Sequence, residues 1–360
     1  MKILHLIPAL SGGGAERQLS YLAPELARMG HDVHVAYSEE GPQKPELSGV
    51  VLYHLKSRSN YDPYLFWQLI RFIRLIKPDI IQTWIVQMDI LGGIAARLCG
   101  VPWIFREPSS AMAYPPTWKN RIRVRVGSGS RTVVSNSTGG DEYWKTYLPD
   151  NRRYLISNGL PVQEIDRTPA ALPPGLAQPE APIVLYVGRL SSDVTATKNL
   201  RAFLEILGVI RQKQKIVGIL CGEGPHLTEL EGLRHKLGLD GDVHFVGYLL
   251  PTQVWALMKK ASVFVSLSAF EGCPNAVMEA MACGCPLVLS DIPSHRVLLD
   301  SDSALFVDPE NIQESAKTIL LALYDTDTAK VRALSAKQKS WGFSIAEMAR
   351  KYEKVYQGII

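Results

Sequence analysis

The sequence predicts an α/β fold of two Rossmann-like domains, and three observations carry that prediction. Short apolar runs of strand character alternate with amphipathic helical segments along the chain. Glycine turns follow several of the strands. A proline-rich stretch, 166–182, separates one such series from a second. The length of 360 residues agrees, because it exceeds what one ordinary core holds.

In the first series Ile3–Ile7 reads as a buried strand, followed by a loop at Gly12–Gly14 and a helix from Ala15 to Met29 that Gly30 ends. Val33–Tyr37 is the next strand and completes an opening βαβ unit. Val50–Leu55, Ile80–Thr83, Trp103–Arg106 and Thr132–Ser135 are further strands. Tyr64–Ile76, stopped by Pro78, and Asp89–Cys99 are helices. Pro169, Pro173, Pro174, Pro179 and Pro182 mark the linker. The second series places strands at Ile183–Val187, Ile216–Cys221, Val243–Val246, Val263–Leu267 and Pro286–Leu289. Its helices are Leu200–Gln212, Leu227–Leu237, Ala276–Cys283, Ile312–Tyr324 and Ile345–Tyr356. The domains expected are 1–165 and 183–342, joined by 166–182.

Composition narrows the function. Hydrophobic residues are 46% and charged residues 21%, the balance of a globular protein with a large core. A formal charge of only +4 argues against nucleic acid as a partner. Five dispersed cysteines do not form a disulfide framework. Cys283 and Cys285 lack the second pair that a zinc site needs, so they read as structural thiols and no metal is expected. The N-terminal apolar run is too short for a secretory signal, and no segment gives an uninterrupted membrane helix. The expectation is a soluble cytoplasmic protein that can touch the inner face of a membrane.

Glu271 and Glu279 are the most informative pair. They stand eight positions apart, the first in a Gly/Pro turn after a strand, the second inside the helix that follows. In open α/β sheets ligands bind at such strand-to-helix turns. Two acids beside a helix N-terminus suit the hydroxyls of a sugar nucleotide, with the helix end toward its phosphates. Read alone, both glutamates are equally well solvated charges or caps. The apolar surroundings of Glu279 favour a partnered carboxylate.

Other strand-end turns add cations and glycines. Gly188-Arg189-Leu190, followed by Lys198-Asn199, offers a fork and a point charge to a diphosphate, although each cation alone reads as solvated. Gly222-Glu223-Gly224-Pro225 is a ribose or base border, or a plain turn. Ser11-Gly12-Gly13-Gly14-Ala15-Glu16-Arg17 can bring backbone N–H groups to a phosphate, or be a tight turn without ligand. It departs from Gly-x-Gly-x-x-Gly, and no acid before Glu39 and Glu40 closes the second strand, so an NAD site is weak. His5, His34 and His244 read as packing residues. Arg106-Glu107-Pro108 ends a strand and is the acceptor-side candidate.

Together these residues resemble the retaining glycosyltransferases of the GT-B fold, family 4. The matching segments are Gly13-Gly14-Ala15-Glu16-Arg17, Gly30-His31-Asp32-Val33, Ser157-Asn158-Gly159-Leu160, Gly188-Arg189-Leu190, Lys198-Asn199, Gly222-Glu223-Gly224-Pro225 and Phe270-Glu271 through Glu279-Ala280-Met281-Ala282-Cys283-Gly284. They follow the family's order over nearly the whole chain. The resemblance implies two Rossmann-like domains facing a cleft, with the last helix, 343–360, crossing back to the first. It implies a UDP- or GDP-sugar held by the second domain and a glycan or lipid-linked acceptor entering from the first. Carried over, Glu279 binds the donor ribose, Glu271 contacts the sugar, and Arg189 and Lys198 neutralise the leaving diphosphate. Backbone groups at Gly13 and Gly14, and at Pro274, Asn275 and Ala276, position phosphates and sugar, with Gly188 and Glu223 lining the donor. The family uses no metal or resident cofactor. A nucleotide-sugar epimerase or phosphorylase on the same fold, or a non-catalytic binding protein, stands as the alternative. Two basic stretches, 64–77 and Lys119, Arg121, Arg123 and Arg125, read as membrane-facing or as a core-facing helix and a solvated loop.

Overall fold

A computed structural model describes residues 1–10, 13–39, 47–59, 62–109, 117–176, 178–190 and 197–360. Ser11, Gly12 and Glu40 lie outside these. The chain divides into two compact units, 1–159 with 343–360, and 160–342.

The first unit carries β1 (Lys2–Ala9), α1 (Gly14–Arg28), β2 (Asp32–Glu39), β3 (Val50–His54), α2 (Pro63–Ile76), β4 (Ile80–Thr83) and α3 (Ile85–Cys99). It continues with β5 (Trp103–Glu107), α4 (Trp118–Gly127), β6 (Thr132–Ser135), α5 (Thr138–Lys145) and β7 (Arg153–Leu155). Its described strands pair in parallel in the order β3-β2-β1-β4-β5-β6-β7. The central strands are buried on both faces, as helical layers on each side of a parallel sheet require. Local signals set the helices. Asp62 caps α2, its carboxylate accepting from Tyr64 N–H at 2.8 Å, and Pro63 opens the first turn. Left-handed Gly100 ends α3.

The second unit repeats the scheme: α6 (Val162–Arg167), β8 (Ile183–Val187), α7 (Leu200–Arg211), β9 (Val217–Cys221), α8 (Leu227–Lys236), β10 (Val243–Gly247), α9 (Pro251–Lys260) and β11 (Val263–Ser266). There follow α10 (Asn275–Cys283), β12 (Leu287–Ser290), α11 (Pro293–Arg296), β13 (Leu305–Val307), α12 (Ile312–Tyr324) and α13 (Thr326–Ser340). The strands are parallel, in the order β10-β9-β8-β11-β12-β13. In each sheet the order reverses beside the first strand, between β1 and β4 and between β8 and β11. These are the switch points where strand-end loops diverge and ligands bind. The last helix, α14 (Ile345–Gln357), packs in the first unit against α1.

Differences from the sequence reading are local. The division falls at 159/160, ahead of the proline-rich stretch, and α6 belongs to the second unit. Lys259 explains this: its ammonium caps the C-terminal end of α6 by donating to the carbonyls of Ile165, Asp166 and Thr168. Lys337 adds an ion pair to Asp166 at 2.6 Å. The helix expected from Asp89 starts at Ile85, which places Asp89 in the core. Helix α13 escapes periodicity reading because its buried stripe is Ala329, Ala333 and Ala336, small residues with little apolar contrast. All five cysteines are free thiols, and burial pushes Cys283 up to about 12, which suits packing residues. Among the described residues no cluster suits a metal, and no helix is long and apolar enough to cross a membrane.

Candidate active site

The C-terminal edge of the second sheet is built from backbone outward. Gly188 N–H donates to Cys221 O at 2.9 Å, Leu190 N–H to Glu223 O at 2.8 Å, and Gly222 N–H to Gly247 O at 2.8 Å. The loops after β8, β9 and β10 are thus laced together. Glycine is required for this approach: a Cβ on Gly224 would stand 1.8 Å from the Leu190 carbonyl oxygen. Glu223 lies exposed on this rim, and its carboxylate accepts from Tyr248 N–H at 3.3 Å. Arg189, on the loop after β8, is exposed and makes no ion pair with a described residue.

Lys198 and Glu271 meet. The Lys198 ammonium donates to Glu271 Oε1, and Ser268 Oγ donates to the same oxygen at 2.7 Å. The loop holding Lys198 is pinned on both sides. Ala269 N–H donates to Thr197 O at 2.6 Å, and the Asn199 amide donates to Leu267 O at 2.8 Å. Asn199 adopts the left-handed conformation (φ 51°) that an Asn tolerates. The pair is part-exposed, 23% for Lys198 and 15% for Glu271, so it stays open to a ligand. Directly after it Pro274 leads into α10 without a side-chain cap bond of its own, and Asn275 and Ala276 stand in the first turn of that helix, at the positive end of its dipole. Glu279 lies in the second turn of α10 and is buried among Val277, Met278, Ala280 and Met281.

The first unit treats its candidates differently. The Glu16 carboxylate folds back on the N-terminus of α1 and accepts from the backbone at Gly13 and at Glu16 itself. Burial raises this carboxyl above its ordinary range, with those bonds and the charge of Arg106 opposing. The amide at Gly13 therefore already has an anionic acceptor, a local arrangement that spacing does not reveal. Arg106 is buried, lies 4.4 Å over the Trp84 ring, and donates to Asn158 Oδ1 at 2.7 Å. The next residue of that motif, Gly159, exchanges two hydrogen bonds with the Gln18 amide, at 2.7 and 3.1 Å.

Glu107 corrects the acceptor-side expectation. It has no exposed surface, and its carboxylate accepts from Arg123 at 3.0 Å, Trp144 Nε1 at 2.9 Å and Ser109 N–H at 3.0 Å. Arg123 likewise leaves the expected basic surface. It is 1% exposed, lies over Phe105 and donates to Asp89 at 3.1 Å. A guanidinium shared by two buried carboxylates is a core fixture, and burial pushes Asp89 up to about 7.

Sequence reading missed Ser268, Ser290 and His295, which stand behind the Lys198–Glu271 pair. Their motif-free residue types carry no period or glycine signal, and only strand pairing of β11 with β12 brings them together.

Comparisons with known proteins bear on the family and the fold. The family model described as Glycosyltransferase Family 4 matches residues 12–164, and that described as Glycosyl transferases group 1 matches residues 171–340. The chain belongs to the group 1 glycosyltransferases of the GT-B fold. An alpha-1,4-N-acetyl-D-galactosaminyltransferase of Campylobacter jejuni, acting on an undecaprenol-linked saccharide by its name, is 26% identical over 99% of this chain and 98% of its own. A GDP-mannose:cellobiosyl-diphosphopolyprenol alpha-mannosyltransferase of Xanthomonas campestris is 31% identical over 53% of this chain and 48% of its own. Anabaena HepE in complex with UDP shares the fold at a TM-score of 0.83 and 19% identity, covering 99% of this chain and 100% of that one.

Proposed function

We propose that this glycosyltransferase takes a hexose-type sugar from a UDP- or GDP-sugar and passes it, with retained anomeric configuration, to a glycan or lipid-linked acceptor. The observation that carries this reading is the Lys198–Glu271 pair beside the N-terminus of α10, with Arg189 on the neighbouring strand end. A departing nucleoside diphosphate gathers negative charge at its bridging oxygen. A fixed ammonium, a guanidinium fork and a helix end are the groups that stabilise such charge. Glu271 orients Lys198 and presents acceptor oxygens to sugar hydroxyls, while Glu279 anchors the ribose. These fixed cations take the place of a metal. Retention follows front-face attack, in which the leaving phosphate accepts the proton of the acceptor hydroxyl, so no side chain is assigned as nucleophile.

The acceptor class is supported by relatives whose names specify polyprenol-linked saccharides. A peripheral site at an anionic membrane fits the exposed cations and aromatics of α2 and α4. The reading is tested with a panel of nucleotide sugars, first by thermal shift and then by product analysis with donor alone and with polyprenol-diphosphate saccharides. Transfer that survives EDTA and gives a retained linkage by NMR is expected. A new sugar isomer from donor alone would replace the reading with epimerisation.

A further inference from the structure

We propose that His295 is a positioning residue that fixes the Glu271–Lys198 pair through a two-serine relay; the inference rests on the glycosyl-transfer reading of that pair. His295 lies on α11 and is fully buried. Its Nδ1 stands 2.8 Å from the Ser290 carbonyl oxygen, which accepts only from a protonated nitrogen. The ring is therefore the Nδ1–H tautomer. Ser290, the last residue of β12, donates its hydroxyl to Ser268 O at 2.5 Å. Ser268 in turn donates its own hydroxyl to Glu271 Oε1 at 2.7 Å. The three bonds all point the same way, from the ring to the Ser290 carbonyl, from the Ser290 hydroxyl to the Ser268 carbonyl and from the Ser268 hydroxyl to Glu271. They join through the backbones of the two serines, so the relay transmits position and carries no proton.

Two further facts favour a positioning role over packing alone. The relay ends on the carboxylate oxygen that also receives Lys198, so a shift of Ser268 moves both partners. Burial lowers the basicity of His295, and the nearby Lys198 lowers it further, while the Ser290 carbonyl and Glu271 oppose. The neutral ring this favours keeps a second positive charge away from Lys198. The Nε2 atom is buried without a hydrogen-bond partner among the described residues, so the ring is held by Nδ1 alone.

The test separates the two nitrogens. In His295→Asn the amide nitrogen reproduces the Nδ1 donor, in His295→Gln it reaches the Nε2 place, and His295→Phe removes both. Expected are a kcat lowered about 10- to 100-fold in the Phe and Gln variants, and a kcat within about threefold of wild type in the Asn variant. UDP or GDP affinity is expected to change less than about threefold in all three, since Glu279 and the glycine loops are untouched. Ser290→Ala carries the same forecast as His295→Phe and serves if the latter does not fold. A wild-type kcat in His295→Phe or Ser290→Ala, an Asn variant no better than the Phe variant, or loss concentrated in nucleotide affinity would overturn the relay. Nitrogen-15 NMR of the wild-type protein reads the tautomer without any turnover. A ring protonated only at Nε2 at neutral pH overturns the relay, because its Nδ1 has no proton to give the Ser290 carbonyl, whereas a protein that transfers no sugar overturns the underlying reading while the tautomer is still observed.

Discussion

At the level of single residues, types were legible in the sequence and partners were not. Lys198 and Glu271 were recognisable as a cation and an acid at strand ends, yet they are 73 positions apart and only parallel pairing of β8 with β11 joins them. Replacing Lys198 with Ala leaves Glu271 and the helix end without the ammonium. Transfer is expected to fall about 10²- to 10³-fold, the loss typical of one charge-stabilising group, with the fold kept. Glu279→Ala is expected to act on affinity instead, weakening nucleotide binding about 10- to 100-fold in titration calorimetry. Asp89 gives a pH forecast that no motif announces. Its folded carboxyl is pushed up to about 7 by burial, against an ordinary value of 3.8, with Arg123 and Thr83 opposing and Glu107 adding. The folded state thus binds the proton more tightly than the unfolded chain. Stability from this group is present below the unfolded value and is lost as pH rises toward about 7. Between pH 5 and 8 the wild type is expected to lose on the order of 2–3 kcal/mol that Asp89→Asn does not lose, measured as a difference in the pH dependence of unfolding free energy.

At the level of elements, strands and long amphipathic helices declared themselves through period and glycine punctuation. Elements with small or mixed buried faces, such as α13 and α4, did not. The glycine turns were legible as turns, but their reason is the backbone approach between the loops after β8 and β9. Gly224→Ala sets a Cβ against the Leu190 carbonyl, and Gly222 sits at φ 141° with a similar conflict at Gly188. Gly224→Ala is expected to cost about 1–3 kcal/mol in denaturant unfolding and to weaken nucleotide binding by spreading the two loops. Surface elements carry a second forecast. Helix α3 packs against both α2 and α4. Tyr64, Trp67 and Arg71 of α2, and Trp118, Lys119, Arg121 and Arg125 of α4, are exposed. Aromatic rings that seat at the headgroup level beside lysines and arginines suit an anionic bilayer. Co-sedimentation with phosphatidylglycerol vesicles at low salt is expected, with a loss of about 30-fold or more on replacing Arg71 and Arg121 by Glu, since each cation is worth about 1 kcal/mol at such a surface and the new carboxylates are repelled by it. Binding that ignores these changes would remove the membrane proposal.

At the level of the whole chain, contiguity in sequence and contiguity in space part company at the C-terminus. Residues 343–360 belong to the core of the first unit although 160–342 intervene. Amphipathicity identified α14 as a helix, but nothing in its pattern says which core it completes. That is decided by shape and hydrogen bonding. Tyr352 and Tyr356 are fully buried, Met348 closes on Gly159 where a Cβ would meet it at 2.8 Å, and the Tyr356 hydroxyl donates to the Gln82 side chain at 2.5 Å. His31 and Glu353 add a contact at 3.0 Å at the edge. The core of the first unit, with Leu19, Leu22 and Ile80, includes Tyr352, Val355 and Tyr356 as full members. Tyr356→Ala removes a large buried ring and strands the Gln82 amide, so a loss of about 3–5 kcal/mol is expected. Because the residue belongs to one unit, hydrogen exchange should accelerate across β1, β4 and α1 while β8, β9 and α10 keep their protection. Equal acceleration in both units would mean that they unfold as one cooperative body, with the stability of the donor-side loops tied to the last helix.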